Sequence, residues 1–207
     1  MTTAHHIPGI PFDLTASEGS SWAVDRATGS VRSTALPRTD IFIDPGASPL
    51  EVRPVLNAAT LLGTPPAGDF QLSARVSVDF AATFDAGVLL LWIDDRHWAK
   101  LCFEYSPDGE PMVVSVVNRG VSDDANGFVV DGRSVWLRVS RIDHAFAYHA
   151  SLDGQAWRLI RSFALDDPAG ALALGLEAQS PTGEGCAVVF EQVAFTSSRL
   201  GDLRDGS

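Results

Sequence analysis

Alternating apolar and polar positions run through most of the chain and predict β-strands. The clearest stretch is residues 69–80, where polar residues separate the apolar positions Phe70, Leu72, Ala74, Val76, Val78 and Phe80. A period of two predicts a strand with one buried and one solvated face. Residues 86–93 form an unbroken apolar run, which is typical of a central strand. Turn residues at 106–109 and 152–155 separate further segments at the spacing of an antiparallel sandwich.

These segments predict an all-β protein, because no stretch of useful length has helical periodicity. All-β sandwiches often reach 207 residues as one unit, and we see no internal repeat or linker. We therefore expect one domain over residues 1–207. The tail from about residue 196 has little apolar content, so we expect it to be frayed.

The side of each predicted strand that faces away from the core carries candidate ligand-binding residues. In residues 97–105 this side holds Trp98, Lys100, Cys102 and Glu104. Sugar rings stack on aromatic side chains, and charged groups bond hydroxyls. We expect a groove lined by Trp98, Lys100, Glu104, Arg138 and Gln179, and the outward faces add Trp136 and His149 as candidate ligand-binding residues. The competing interpretation is that the N-terminal segment covers the tryptophans and the charges form a cross-strand ion-pair ladder.

Glu104 is the candidate for acid or base chemistry. Glycoside hydrolysis needs two carboxyls, ~5 Å apart in retaining enzymes and ~6.5–9.5 Å apart in inverting ones. Glu104 has no acidic neighbour on its own strand, and the nearest candidates are Asp123, in a predicted loop, and Glu177, on another strand. We take Glu104 and Asp123 as the candidate catalytic pair. Whether the protein is an enzyme stays open.

We predict no metal and no cofactor. Residues 122–127 offer oxygen ligands of the kind calcium takes, but a polar turn with Asn126 and Gly127 at its tip explains them better. The five histidines are scattered and lack zinc-site spacing. The chain also lacks a glycine-rich phosphate loop and a dinucleotide fingerprint.

Charge and the N-terminal sequence bear on partners and location. The net charge of −11 argues against nucleic acid and anionic membranes as partners. The N-terminus has no basic region followed by an apolar one, and no run reaches the ~18 apolar residues of a membrane helix. We expect a cytoplasmic protein with reduced thiols, although the sequence leaves open the pairing of Cys102 with Cys186 and the oligomeric state.

Several motifs, taken in order, resemble one known family. They are "TDIF", "AGVLLLWIDDRHWAKLCFEYSPDG", "VVSVVNRGVSDD", "VWLRVSR", "HASLDGQAWRLIRSFAL" and "AQSPTGEGC", within residues 35–195. The chain resembles the domain-of-unknown-function family 1349, of the concanavalin A-like lectin and glucanase superfamily. The resemblance implies a jelly-roll sandwich of two curved antiparallel sheets with a ligand site in the concave face.

The resemblance carries over no catalytic residue, because the family has no agreed ones. Glucanases of the superfamily carry a Glu-x-Asp-x-Glu run, which this chain lacks. The resemblance adds Ser115 and Asn118 to the candidate ligand-binding residues. Relatives often have Thr at the position of Asn118 and Trp at that of Ala125, which implies a different ligand preference here if that Trp lines the site. One branch of the family is named for regulation of enolase, and no matching residue in this chain explains that name.

Three functions follow from these observations. The first is a carbohydrate-binding or glycan-processing accessory protein that uses the concave face. The second is a glycoside hydrolase or lyase with Glu104 as acid or base, which requires a second carboxylate nearby. The third is a protein-interaction or regulatory domain, which predicts a flat exposed apolar patch and no groove.

Overall fold

The computed structural model describes residues 4–47, 53–167 and 170–207. Its strands, in chain order, are β1 (Ala4–His5), β2 (Leu14–Ala16), β3 (Trp22–Val24), β4 (Val31–Thr34), β5 (Ile41–Phe42), β6 (Val55–Leu56), β7 (Ala59–Gly63), β8 (Phe70–Val78), β9 (Ala86–Asp94), β10 (His97–Tyr105), β11 (Pro111–Arg119), β12 (Ser122–Val129), β13 (Ser134–Ile142), β14 (Ala145–Ser151), β15 (Arg158–Ala164), β16 (Ala173–Gln179) and β17 (Ala187–Thr196). In these ranges, no helix has the length and apolar character needed to cross a membrane. The prediction of an all-β protein is confirmed.

The strands form two large antiparallel sheets that pack face to face. Sheet A has the order β1-β2-β7-β16-β9-β10-β11-β12, and sheet B has the order β15-β14-β13-β8-β17-β4-β3. Strands β5 and β6 pair only with each other, as a small third sheet. Residues of both large sheets contribute to one hydrophobic core, so the predicted β-sandwich is confirmed.

The alternation predicted for β8 is confirmed in the core. The apolar positions from Phe70 to Val78 are buried, and the polar residues between them are partly exposed. Leu89 and Leu91 of β9 face this core from sheet A. Each buried aliphatic side chain of this size contributes about 1.5–3 kcal/mol to the free energy of unfolding.

Strand β9 is covered on both faces, as its unbroken apolar run predicted. Val88 and Leu90 point to the outer face of sheet A and belong to a second hydrophobic cluster. Ile41 and Ile43, from β5 and the residue after it, belong to the same cluster. The β5–β6 pair therefore covers part of the outer face of sheet A.

The prediction of a polar loop at residues 120–127 is wrong, because residues 122–129 form strand β12. The chain reverses at Gly120, whose φ of +95° suits glycine. Strand β12 then pairs with β11 at the edge of sheet A. An edge strand faces solvent, which explains how so polar a sequence extends the sheet.

The tail after Thr196 packs against sheet B, although its composition predicted a frayed end. Leu200 is buried, and the carbonyl groups of Leu203 and Gly206 accept hydrogen bonds from side chains of sheet B. Local composition did not reveal this packing, because the partners of the tail lie far away in the sequence.

Both cysteines are free and buried. Cys102 belongs to the second cluster, and Cys186 belongs to the main core. Burial raises the pKa of the Cys102 thiol well above its usual value, and it raises that of Cys186 to about 12. Because the thiolate is the reactive form, neither cysteine is suited to act as a nucleophile.

Candidate functional site

The outer face of sheet A carries a pocket of about 460 Å³. Lys100 and Glu104 of β10 stand in it, beside Val114 and Val116 of β11. Lys100 and Glu104 share a face because they are four residues apart on one strand. Gln179 joins them from the end of β16. Lys100, Glu104 and Gln179 lie together, in agreement with the predicted arrangement.

Two aromatic side chains contribute to the pocket walls, Phe42 from β5 and Phe84 from the loop before β9. Phe84 has a φ of +69°, a conformation that is rare and costly for a bulky side chain. Its backbone N–H donates to Tyr105 O, and its carbonyl accepts from Gln179 Nε2 at 3.1 Å. These bonds hold the exposed ring at the pocket, although sequence analysis did not identify it.

The loop that carries Phe84 is fixed by Asp85. The buried carboxylate accepts hydrogen bonds from the backbone N–H groups of Ala81 and Ala82 and, at 2.6 Å, from Ser180 Oγ. Three bonds to one carboxylate make the loop a rigid part of the pocket wall.

Lys100 is the buried cation of the site, with a side chain only 3% exposed. Its Nζ lies 3.0 Å from Asp40 Oδ1 and donates to Gln179 Oε1 at 2.9 Å. Burial alone would lower the pKa of Lys100, but the carboxyls of Asp40 and Glu177 outweigh that effect and raise it. Lys100 is therefore charged at neutral pH and tied to Asp40 of the covering segment.

Glu104 is half-buried in the pocket wall, and its carboxyl group makes no hydrogen bond within the described parts of the chain. Burial raises the pKa of its carboxyl to about 8; Lys100 opposes this shift, whereas Asp40 and Asp124 add to it. At neutral pH Glu104 is therefore mostly protonated and can donate a hydrogen bond or a proton to a bound molecule.

Glu177 lies behind the pocket lining on the same face of sheet A. It is fully buried, and over residues 4–47, 53–167 and 170–207 neither carboxyl oxygen has a hydrogen-bond partner. Burial raises its pKa to about 8; Lys100 opposes this shift, and Asp40 and Glu104 add to it. At pH 7 the neutral form dominates, because an unpaired buried carboxylate is costly.

The structure separates Asp123 from Glu104. Asp123 is paired in register with Val117, a core residue, so the two share the inner side of the sheet. Its carboxylate pairs with Arg161 at 2.9 Å. The next residue, Asp124, pairs in register with Val116 and lines the pocket. Burial and the neighbouring carboxyls raise the pKa of Asp124, with Lys100 opposing them.

Trp98 and Asn118 lie on the predicted face but are fully buried. Trp98 belongs to the second cluster, and its ring centroid is 5.7 Å from Lys100 Nζ. Asn118 donates to Arg96 O at 2.6 Å and accepts from Ser122 Oγ, which also accepts from the backbone N–H of Ile43. Both residues support the segment that covers the sheet, so the predicted tryptophan platform is not available to a ligand.

Ser115 points the other way. It is paired in register with Leu101, a residue of the main core, and its hydroxyl donates to Ala125 O at 3.4 Å. Its full burial between the sheets removes it from the predicted groove.

Trp136, Arg138 and His149 lie on sheet B, in β13 and β14, so the prediction that Arg138 shares a groove with Lys100 is wrong. Trp136 is half-buried, and its Nε1 donates to Gln192 Oε1 at 3.0 Å. Arg138 and His149 are buried beneath the C-terminal tail. Strand alternation correctly places Arg138 and His149 on an outward face, but both sheets have an outer face.

Asp40, Phe42 and Asp124 are pocket residues that sequence analysis did not propose as site residues. Asp124 follows from alternation once β12 is known to be a strand. Asp40 precedes a two-residue strand and Phe42 ends it. So short a strand gives no periodicity signal in the sequence. Over the described residues, no three His, Cys, Asp or Glu side chains are grouped as metal ligands.

A protein of Saccharomyces cerevisiae (strain ATCC 204508 / S288c), "Regulation of enolase protein 1", is 29% identical over 137 residues, which are 66% of this chain and 68% of that protein. A crystal structure of a functionally unknown protein from Saccharomyces cerevisiae matches with a TM-score of 0.76 and 24% identity, covering 90% of this chain and 97% of that one.

A GH43 protein of Bacillus licheniformis, BlXynB, matches with a TM-score of 0.69 and 14% identity. The match covers 90% of this chain but 37% of that one, and at this identity it shows a shared fold alone. The model of one protein family, described as "Protein of unknown function (DUF1349)", matches residues 17–198. The match spans most of the chain, so the protein belongs to the DUF1349 family.

Proposed function

We propose that this protein binds a small carbohydrate in the pocket on the outer face of sheet A. The observation that carries this proposal is the combination, in one 460 Å³ pocket, of the aromatic walls Phe42 and Phe84 with polar side chains from three strands. Ligand pockets are commonly about 300–1,000 Å³, mostly apolar, with a few converging polar groups.

The pocket groups match the two sides of a sugar ring. Phe42 and Phe84 offer apolar faces for its C–H surface. Glu104, protonated at neutral pH, can donate to a hydroxyl, whereas Asp124 and Asn126 can accept. Lys100 already bonds Asp40 and Gln179, so it fixes the shape of the site more than it binds ligand.

The GH43 protein among the structural neighbours supports sugars as the first ligand class to test. This support is by analogy of fold, and the pocket carries the argument. The net charge of −11 further favours a neutral or cationic ligand over a polyanion.

The test is a thermal-shift screen against neutral monosaccharides and β-linked disaccharides, followed by calorimetric titration of the best ligand. At a hundred times its dissociation constant a ligand stabilises the native state by ~2.7 kcal/mol, a clear rise in Tm. We expect Glu104→Ala and Phe84→Ala each to weaken binding about tenfold, since each loses about 1.4 kcal/mol of contact. Trp136→Phe, on the other sheet, is the matched control and should bind as the wild type does.

If no sugar raises the Tm, or if Trp136→Phe weakens binding as much as the pocket variants do, the proposal is wrong. Retention of full affinity by both Glu104→Ala and Phe84→Ala would place any observed binding outside the pocket.

One observation favours a second function, that of a carbohydrate-active enzyme. Glu104 is a largely protonated carboxyl open to a pocket, as a general acid must be, and Asp124 is a second carboxyl lining the same pocket. We expect such an enzyme to release nitrophenol from an aryl glycoside of the sugar that binds. Glu104→Gln would then abolish turnover while substrate still binds. If the wild type binds the sugar without turning it over, the protein is a binding protein and this second function is wrong.

The name of the yeast relative favours a third function, a regulatory domain that binds enolase. It predicts direct binding of purified enolase in a calorimetric titration. Failure of purified enolase to bind would remove this candidate, whatever the sugar screen shows.

A further inference from the structure

The outer face of sheet B carries a second buried polar group, independent of the pocket on sheet A. Arg138 of β13 and His149 of β14 are paired in register and stand side by side. Residues 200–207, here called the C-terminal turn, cover them. Arg138 Nη2 donates to Gly206 O at 2.6 Å, and His149 Nε2 donates to Leu203 O at 2.8 Å.

The cation in this group lacks an anionic partner. Arg138 is 7% exposed and takes part in no ion pair with any described residue, while its Nε has no hydrogen-bond partner among them. Its guanidinium lies 4.2 Å from the ring centroid of Trp157. Burial lowers the pKa of Arg138 to about 10. A buried guanidinium that meets one carbonyl and one indole ring is under-compensated.

His149 adds a second incompletely bonded group. It is fully buried, and its Nδ1 has no hydrogen-bond partner in the described part of the protein. Burial lowers the pKa of its imidazole to about 4, so the ring is neutral and carries its proton on Nε2. The two donors, Arg138 Nη2 and His149 Nε2, both point at carbonyl oxygens of the C-terminal turn.

The C-terminal turn is held together by backbone hydrogen bonds between its own residues. Gly201 N–H donates to Ser207 O, and Gly206 N–H donates to Asp202 O. Its described side-chain hydrogen bonds to sheet B are the two through Arg138 and His149. A compact turn held by so few bonds can leave the sheet without unfolding the core.

Gly206 is the residue that lets the turn close over Arg138. Its φ is +75°, and a Cβ atom there would lie 2.5 Å from Arg138 Nη2 and 3.0 Å from Trp157 Cβ. A Cβ atom would also lie 3.1 Å from His149 Cδ2, and this φ is strained for any residue with a side chain, so a side chain here breaks the close contact between the turn and Arg138.

We propose that the C-terminal turn is a displaceable cap over an oxyanion-binding site formed by Arg138 and His149 on the outer face of sheet B. In the closed state, the carbonyl oxygens of Leu203 and Gly206 occupy the places of two oxyanion oxygens. When the cap lifts, the guanidinium presents a planar fork to a carboxylate or phosphate, and His149 Nε2 donates a further bond. The bound anion brings a negative charge next to Arg138, whereas the cap offers it only a neutral carbonyl group.

The experiment measures the binding of inorganic phosphate and of acetate by calorimetry, at constant ionic strength set with chloride. The variants are Gly206→Ala, which breaks the close contact of the cap with Arg138, and Gly19→Ala, whose glycine has a similar φ of +76° and open space around it. We expect Gly206→Ala to bind at least one of these anions about tenfold more tightly than the wild type, because the closed cap lowers the apparent affinity. Gly19→Ala should match the wild type.

Two further variants guard against a trivial result. Adding Arg138→Gln to Gly206→Ala should abolish the gain in affinity. Leu200→Ser, which weakens the buried anchor of the turn, should reproduce the gain and replaces Gly206→Ala if that variant does not fold. The proposal is overturned if neither opening variant binds more tightly, if Gly19→Ala gains equally, or if the gain survives Arg138→Gln.

Discussion

The outer faces of the two sheets share a sequence pattern, but the segments that cover them offer different chemical groups to the buried cation. Each carries a buried cation near a tryptophan, Lys100 near Trp98 on sheet A and Arg138 over Trp157 on sheet B. On sheet A the covering segment supplies a carboxylate to the cation and leaves a pocket beside it. On sheet B the covering segment supplies a backbone carbonyl to Arg138.

The difference lies in the segments that cover the two faces. The β5–β6 pair anchors on one part of sheet A through Ile41 and Ile43, so Glu104 stays open to the pocket. The C-terminal turn lies directly over Arg138. A cation and an aromatic residue on an outward strand face therefore indicate a site only when the covering segment is known.

The largest expected effect comes from the tryptophan beneath the sheet A cover. Trp98→Ala should lower the free energy of unfolding by about 3–5 kcal/mol, because it leaves a cavity in the second hydrophobic cluster. Trp136→Ala, at a half-buried position on sheet B, should cost about 1 kcal/mol or less. Urea unfolding of both variants measures the difference, and equal losses would mean that the two tryptophans are covered alike.

The ion pair of sheet A should give the next largest effect. Asp40→Asn leaves the Lys100 ammonium buried without its closest anion, and we expect a loss of about 3 kcal/mol. Asp79→Asn, which breaks the exposed pair with Arg133, is the matched control and should change stability by less than about 0.5 kcal/mol. Urea unfolding at pH 7 measures both variants, and a loss for Asp40→Asn no larger than that of the control would show that Lys100 does not depend on Asp40.

The third expected effect is a pH dependence of the free energy of unfolding that differs between the two faces. The pKa of Glu177 is about 8 in the native state, above the value of an unfolded glutamate, so the native state holds a proton that the unfolded state releases. The resulting stability is complete below about pH 4.5 and is lost as pH rises toward 8, with a limiting slope of about 1.4 kcal/mol per pH unit.

Glu177→Gln should therefore remove its share of the decline in stability between pH 5 and pH 8 and leave the share of Glu104, whose pKa is also about 8; urea unfolding at several pH values measures the difference. His149→Gln, on sheet B, should instead steepen the decline below about pH 6.5, because the unfolded imidazole takes up a proton there that the native ring, with a pKa of about 4, does not. A decline that is unchanged in Glu177→Gln would contradict the raised pKa.

The smallest effect is expected at two adjacent acids of β12. Asp124 lines the pocket, and Asp123 pairs with the largely buried Arg161 on the other side of the strand. Asp124→Asn should change affinity for a pocket ligand several-fold, about 0.5–1 kcal/mol, through a weakened hydrogen bond. Asp123→Asn should leave affinity unchanged in the same calorimetric titration, and the reverse ranking would mean that β12 presents its other face to the ligand.

Much of the pocket was predictable from alternation. Lys100 and Glu104 were predicted to lie on one face, with Gln179 in the same groove, and the structure brings the three together. The β8 strand and the doubly buried β9 strand were predicted for the same reason, since the period of two is a local property of the backbone.

The sequence predictions fail where long-range packing determines which face or which sheet a side chain belongs to. The sequence favours Asp123 over Asp124 because a polar edge strand resembles a loop. In a strand, adjacent residues point to opposite faces of the sheet, so the neighbouring Asp124 lines the pocket instead. Arg138 was assigned to the wrong groove because alternation separates inside from outside without telling the two outer faces apart.

The sequence by itself determined that this chain folds as an all-β sandwich and that Glu104 and Lys100 point away from the core, because these properties follow from nearest-neighbour geometry along a strand. The tertiary structure alone decided that Trp98 is buried, that Asp40 neutralises Lys100, and that the C-terminal turn covers Arg138. These outcomes depend on contacts between segments about 60 residues apart, whose free energies are set by burial and charge pairing in the folded chain.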